Sequence, residues 1–396
     1  MKLCVIGLGQ AGGKILDAML AADKKNGSNI VQGCIAVNTA KADLMGLEEV
    51  PENLRILIGQ DTVKGHGVGA DNELGAQVAN NDISEVLGGL DTIAVHEVDA
   101  FLLIGGLGGG TGSGSLPVVA REIQRVYTEP VYGLGIFPSP DEGGIYTLNA
   151  ARSFQTCVGE LDNLIVFDNG AWERSDTSLN EWYTEINTEI VHRLSVLFGA
   201  GEVELGGEVA ESVVDASEII NTFASGGIST IGYATQKLSD EERGRTGLLS
   251  RFRTSSKETG FGGGDGSRTN RITSLIRKAT LGRLTLPCNT SSSERALVIV
   301  AGPSEHISRK GVERGRKWIE SETGTMEVRG GDYPVHDSIH VSGLVVLSGV
   351  SDIPRVKELQ QVAIEANDTI EEIRSESSAN LDSLVSTDGD ELDSLF

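Results

Sequence analysis

Lysine is the first scarcity: 12 lysines and 21 arginines face 57 acidic residues, which leaves a formal net charge of −24 on 396 residues. A surface of that sign repels phosphodiester chains, and so excludes a nucleic-acid binder that works through a broad basic face. High acidity with few lysines is similar to the composition of cytoplasmic proteins from salt-loving organisms, where concentrated salt screens self-repulsion. Cysteine is scarce as well. Cys4, Cys34, Cys157 and Cys288 stand far apart without CxxC spacing, and two of them lie in apolar strand-like runs, the pattern of buried thiols in a reducing cytoplasm. No stretch approaches the ~20 apolar residues that span a bilayer, which excludes a transmembrane helix. The apolar opening Met1 to Gly7 is too short for a signal peptide and turns straight into a glycine loop, so the expected location is cytoplasmic. What remains is a chain long enough for two packed domains.

Glycine, by contrast, is abundant at 51 residues, and residues 105 to 114 read Gly-Gly-Leu-Gly-Gly-Gly-Thr-Gly-Ser-Gly. Glycine loses more backbone entropy on ordering than any other residue, so such a run inside a folded domain needs a compensating contact. Backbone N–H groups converging at a helix N-terminus supply one, because free donors and the positive end of the helix dipole both favour an anion such as a phosphate chain. The flanks agree: Ala100 to Ile104 predicts a buried strand, and Ser115 to Tyr127 a helix with Pro117 in its first turn.

Up to about residue 168 the chain alternates short apolar runs with helical-period segments, which predicts an α/β fold with a parallel sheet. Strands are expected at Lys2 to Ile6, Ile30 to Val37, Leu54 to Ile58, Ala100 to Ile104, Val131 to Ile136 and Leu164 to Phe167. Each runs into a loop, and in open parallel sheets ligands bind at the carboxyl ends of strands. Gly7 to Gly12 matches GxGxxG, but strand two ends Val37-Asn38-Thr39 without the acid that a dinucleotide fold uses on the ribose, and no GxxxxGK[ST] occurs. A third glycine loop runs from Gly65 to Asn72 and contains His66, read as a solvated histidine or a phosphate contact. Three such loops on strand ends predict a polyphosphate held from several sides.

Residues 179 to 199 place Leu179, Tyr183, Ile186, Ile190, Leu194 and Leu197 near a 3.6 period, a long connecting helix. A smaller mixed α+β region follows, with apolar runs at Ile228 to Ala234, Ala296 to Ala301 and Ile339 to Leu347 and a helix over Glu305 to Glu320. Between Lys237 and Arg283 eleven basic residues meet five acidic ones in a loop-rich stretch, either a solvated insertion or a contact for an acidic neighbour. Residues 351 to 396 hold twelve acidic and three basic residues. Their first half suits a helix, and Leu381 to Phe396 reads as a disordered tail, a solubilising end or a docking motif for a protein partner.

Gly108-Gly109-Gly110-Thr111-Gly112-Ser113-Gly114 resembles the phosphate signature of the tubulin/FtsZ superfamily, GGGTG[ST]G. Gln10-Ala11-Gly12-Gly13 is similar to that family's first loop and Ala36-Val37-Asn38-Thr39 to its second; Pro138 to Gly143 resembles its ribose loop and Phe167-Asp168-Asn169 its base-recognition segment. Tyr183 and Asn187 stand at i, i+4 on one helix face, like the family's stacking aromatic and guanine-binding asparagine. Asp215-Ala216-Ser217-Glu218 resembles the loop whose two carboxylates complete the neighbouring subunit's site; the same spacing also suits an ordinary exposed helix start. The likeness covers roughly residues 1 to 350 and sits nearest the CetZ group of haloarchaeal tubulin-like proteins.

That resemblance implies a cytoskeletal GTPase that polymerises head to tail and serves cell shape, with GTP or GDP as ligand and Mg²⁺ as its ion. It implies nucleotide contacts from Gln10, Ala11, Gly12, Gly13, Lys14, Asn38, Gly69, Ala70, Gly108, Gly109, Gly110, Thr111, Gly112, Ser113, Glu142, Asn169, Tyr183 and Asn187, and catalytic roles for Asp215 and Glu218. Metal ligands are not indicated. The implied division is a GTP-binding domain over 1–178, a connecting helix over 179–200, an α+β domain over 201–350 and an acidic C-terminal helix with a disordered tail over 351–396. Ala40, Tyr146 and Val213 depart from FtsZ, which has an acid, an arginine and an asparagine there, so a scaffold that binds GTP with little hydrolysis is the rival reading. An NAD-dependent enzyme rests on Gly7 to Gly12 alone, and His306, His336 and His340 have no partner spacing to support it.

Overall fold

Strand β1, Leu3–Leu8, is buried along its whole length, because LCVIGL has no polar side chain to place in water and each face must meet apolar groups. Strands β2 (Val31–Asn38) and β4 (Ala100–Gly106) flank it in parallel. The remaining strands are β3 (Arg55–Leu57), β5 (Val131–Phe137), β6 (Asn163–Asp168), β7 (Ile228–Lys237), β8 (Arg295–Gly302), β9 (Val328–Pro334) and β10 (His340–Ser348). In this computed structural model, which describes residues 1–173, 179–200, 214–239, 265–336 and 338–366, they form one sheet in the order β3-β2-β1-β4-β5-β6-β7-β10-β8-β9. Parallel pairing runs from β3 to β7, the last step through two residue pairs, Leu164 with Ile228 and Ile165 with Ser229. Beyond it β10 lies antiparallel to β7 and β8. The expected α/β class with a parallel sheet is what forms.

Twelve helices cover the sheet among the described residues. They are α1 (Gly9–Asn26), α2 (Lys41–Met45), α3 (Gln60–Val63), α4 (Asn72–Asn81), α5 (Ile83–Leu90), α6 (Thr111–Val126), α7 (Gly144–Glu160), α8 (Leu179–Gly199), α9 (Ala216–Phe223), α10 (Asp265–Leu281), α11 (Arg309–Thr323) and α12 (354–366). Alternation along each strand divides the core in two. Cys4, Ile6 and Leu8 face the layer holding Leu116 of α6, Phe154 of α7, Leu275 of α10 and Leu359 of α12. Leu3 and Val5 face the layer with Leu16 of α1, Ile186, Ile190 and Leu194 of α8, and Phe223 of α9.

Two expectations change. Helix α6 begins at Thr111, four residues before the expected start, so half of the glycine run is helix and the loop proper is short. Small residues there let α6 pack at backbone distance: a Cβ on Gly114 would stand 2.3 Å from the Asn72 carbonyl oxygen and 2.6 Å from the Ala76 nitrogen of α4. The stretch from 237 to 283 is also less irregular than expected, since α10 occupies 265–281 and packs Ile272 and Ile276 into the core; residues 240–264 lie outside the described residues, as does the tail from 367 onward.

The packing sets opposite signs for two glycine-to-alanine changes. Gly114→Ala should cost about 1–3 kcal/mol because its neighbours are backbone atoms that cannot yield. Gly88→Ala, in α5 with nothing within 4 Å of the new Cβ, should stabilise by roughly 0.5–1 kcal/mol through helix propensity. Denaturant midpoints of the two variants should move in opposite directions.

Candidate functional site

At the carboxyl ends of β1, β2, β4, β5 and β6 lies a cavity of about 370 Å³, the position where open parallel sheets take ligands. Gln10, Ala11, Lys14, Asn38, Gly69, Ala70, Gly108, Gly109, Gly110, Thr111, Gly112, Glu142, Asn169, Tyr183 and Asn187 all line it. Segments 177 residues apart in sequence, from Gln10 to Asn187, thus meet around one space.

One end is built of backbone. Among the described residues the N–H groups of Gly108, Gly109 and Gly110 find no intramolecular acceptor, and a Cβ on Gly109 would meet nothing within 4 Å. Helices α1, α2 and α6 start at this end, each without a side-chain cap, whereas α4, α9 and α11 are capped by Asp71, Asp215 and Ser308. At α2 the Lys41 N–H donates to the Gly65 carbonyl at 2.9 Å, but the starts of α1 and α6 on one cavity hold free donors and aligned dipoles, a setting for an anion. The loops are tied by buried side chains. Thr39 and Thr111 share a 2.6 Å hydroxyl contact, and Asn149 donates to the carbonyls of Ala70 at 2.6 Å and Gly108 at 3.0 Å. Ala70 is held there at φ 65°, a left-handed conformation that costs a non-glycine residue strain.

Three expected contacts do not reach the lining. Gly12 serves packing: a Cβ there would sit 2.0 Å from the Ile104 carbonyl oxygen, so its absence lets α1 press on β4. Gly13 is buried beside Leu47, and the Ser113 hydroxyl turns back to bond the Gly109 carbonyl. His66 is exposed and off the lining. Conversely, Asp43 lines the cavity and accepts from Gln10 Nε2 at 3.3 Å and Asn38 Nδ2 at 3.1 Å. It stands three residues after Ala40, one helical turn from the position where the resembled family has its acid, and that spacing was the available signal. Tyr146 and Pro138 also line the cavity.

The other end is built of side chains around Glu142. Its carboxylate accepts from the Ser139 N–H at 2.8 Å in a capping box and from Asn169 Nδ2 at 3.4 Å. Burial first, and then this nearby carboxylate, push the Tyr183 phenol up to about 12. Asn169 is 5 % exposed, and among the described residues its Oδ1 has no partner, a buried acceptor of the kind that calls for a donor. Behind Asn169, Trp172 is gripped by the C-terminal half: its indole N–H donates to the Leu284 carbonyl at 3.2 Å, and the Arg193 and Arg283 guanidiniums lie 4.6 and 5.0 Å from its ring. Asp168, next to Asn169, points the other way and is buried; desolvation pushes its carboxyl up to about 6 although Arg355 and the Gly170 N–H pull it down.

Asp215 and Glu218 are apart from this cavity. Asp215 caps α9, accepting from the Glu218 N–H at 3.0 Å and the Ser217 hydroxyl at 2.5 Å, and Glu218 lies 3.9 Å from Arg329. The Ser217 and Glu218 donors hold the Asp215 carboxyl below its usual range. Val213 lies outside the described residues. Among the described residues no group of three or more His, Cys, Asp or Glu gathers as a metal site, and His306 is buried while His336 and His340 are exposed.

Two family models match in tandem: the Tubulin/FtsZ family GTPase domain over residues 2–176 and the C-terminal domain of tubulin-like CetZ over 176–365. Tubulin-like protein CetZ1 of Haloferax volcanii is 62% identical over 374 residues, 94% of each chain. The structure of CetZ1 from that organism as a GDP-bound monomer superposes with a TM-score of 0.82 at 57% identity, covering 93% of this chain and 100% of that one. The GTPγS-bound protofilament of Haloferax volcanii CetZ2 gives 0.81 at 42% identity, covering 94% and 100%. With a bare-donor cavity on a parallel sheet and both models matched end to end, the chain belongs to the Tubulin/FtsZ family, among its tubulin-like CetZ members.

Proposed function

We propose that the chain binds GTP and GDP in this cavity, assembles head to tail with further copies of itself, and hydrolyses GTP where one copy's α9 meets the next copy's cavity. The observation that carries the reading is the division of the cavity into unpaired N–H groups at Gly108 to Gly110 and an unpartnered buried oxygen on Asn169. A guanine nucleotide has the matching parts, an anionic chain and a base edge with N–H donors. The GDP and GTPγS that two relatives carry support the same ligand here. Gln10, Ala11, Lys14 and Gly108 to Gly112 face the phosphates; Glu142 takes the ribose, Tyr183 stacks, and Asn169 and Asn187 read the guanine edge. Asp43 on the lining would be the side chain to hold Mg²⁺, since that ion takes few carboxylates with phosphate oxygens and water, and the ion would offset charge on the transferring phosphoryl group.

Hydrolysis then needs an oriented water. Asp215 stays ionised at neutral pH because its donors hold its carboxyl low, so it orients and polarises water instead of donating a proton, with Glu218 beside it. Both lie outside their own copy's cavity, and a contact between two different surfaces repeats without closing, which yields filaments. The CetZ2 protofilament supports such assembly. In this reading 1–178 holds nucleotide, 179–200 connects, 201–350 presents α9 to the neighbour, and the acidic tail from Leu381 to Phe396 meets a protein partner in the cytoplasm, all in the service of cell shape. The alanine at position 40 on the lining favours, as a second reading, a scaffold that assembles and turns over slowly.

Glu218→Ala should keep GTP binding while turnover in concentrated salt falls about 100-fold; unchanged hydrolysis at equal protein concentration would remove the shared site. Hydrolysis per subunit by the wild-type chain should rise with protein concentration, and a flat dependence speaks against catalysis across the contact. Single-turnover assays after assembly separate the two readings, because filaments that retain GTP are scaffolds. Asn169→Ala should weaken GDP binding about tenfold, measured by calorimetry.

A further inference from the structure

Helix α12 comes from the far end of the chain yet packs behind the nucleotide cavity. Ile353 and Leu359 are buried at 2 % and 1 % exposure, in the same apolar layer as Phe137 at the end of β5, Phe154 of α7 and Val166 of β6. From that anchored helix Arg355 reaches the ends of both strands. Its Nη2 donates to the Pro138 carbonyl at 3.1 Å, and its Nε makes an ion-pair contact of 3.6 Å with Asp168 Oδ1, longer than a hydrogen bond. The third nitrogen, Nη1, meets Glu358 on the same helix at 3.1 Å.

The two inward contacts fall at the roots of the two segments that form the sugar and base end. Pro138 opens the loop that carries Glu142, and both line the cavity. Asp168 closes β6 and caps the short 3-10 turn that opens at Asn169, its Oδ1 accepting from the Gly170 N–H at 3.2 Å, so a hold on Asp168 bears directly on how Asn169 is set. On the cavity side the two segments already meet through Glu142 and Asn169 at 3.4 Å. Arg355 joins them again from behind.

The chemistry suits arginine in particular. A carbonyl oxygen and a carboxylate lie at different edges of one planar cation, which a point-charge ammonium cannot serve together. The side chains of Arg355 and Asp168 are 12 % and 6 % exposed, so the pair is shielded from the screening that makes surface pairs weak; Glu358, 64 % exposed, is of that weak kind. Arg355 therefore gains little from Glu358 and more from the loops.

We propose that Arg355 is a positioning residue of the nucleotide site, fixing from the C-terminal helix the ribose and base loops against each other and so setting how tightly the guanosine end is held. The inference rests on the guanine-nucleotide reading of the cavity. Its test is calorimetric titration of the full chain with GDP and with GTP in concentrated salt, alongside melting of the nucleotide-free protein. Arg355→Ala should weaken both nucleotides about tenfold, leaving the GTP-to-GDP ratio unchanged because the phosphate end is untouched, and Arg355→Lys should restore part of the loss by keeping the charge. Lys357→Ala, which removes a 2.6 Å contact to Asp352 on the exposed side, should bind as wild type. Equal affinities for wild type, Arg355→Ala and Arg355→Lys overturn the inference alone. If Arg355→Ala does not fold, a lysine variant that binds as wild type does the same. A wild-type chain that binds neither nucleotide overturns the reading of the cavity and this inference with it.

Discussion

Everything at the cavity follows from a set of backbone donors left without acceptors. The N–H groups of Gly108 to Gly110, with the uncapped starts of α1 and α6, converge where the parallel strands end. A helix start leaves donors that a side-chain oxygen often takes, as on α4, α9 and α11. The cap of α4, Asp71, borders Gly110 of the same glycine loop, whereas at α1 and α6 no side chain competes for the donors. Water or an anion can take them, and the ties of Thr39 to Thr111 and of Asn149 to two loops keep them pointed at one space.

The opposite end of the cavity is held by the second half of the chain. The Asp168 N–H donates to the Thr285 carbonyl at 2.8 Å, Trp172 to Leu284, and Arg355 bridges Pro138 and Asp168. Arg193 of α8 stacks over Trp172 and reaches toward Tyr233 of β7 at 5.6 Å. The segment that bears Asn169 is therefore shared property of both halves, joined through a β6–β7 contact of only two residue pairs. That segment cannot shift without moving these partners in the second half of the chain.

Much of this was legible in the chain. Apolar runs located β1 to β6 to within a few residues, because the middle of a strand buried on both faces is apolar, and the 3.6 period located α8 residue for residue. Glycine spacing located the cavity, and the i, i+4 pair Tyr183 and Asn187 reached its lining. The errors have one cause. Glycine announces that something comes close without saying what: at Gly109 it is open space, at Gly12 and Gly114 it is another backbone. The early start of α6 and the helix over 265–281 were missed for a related reason, since propensity counts glycine and charge against a helix that tertiary packing then enforces.

The sequence by itself determined the class of the fold, the strand-end loops and the kind of ligand they suit, since these depend on local periodicity and on which side chains are withheld. Only the tertiary structure decided which glycines face the cavity, that Asp43 stands on its lining one turn beyond Ala40, and that Asn149 and Arg355 fasten loops far from them in sequence. Those contacts join residues 41 to 217 positions apart. No local pattern encodes them, because each depends on where the completed sheet brings two strand ends together.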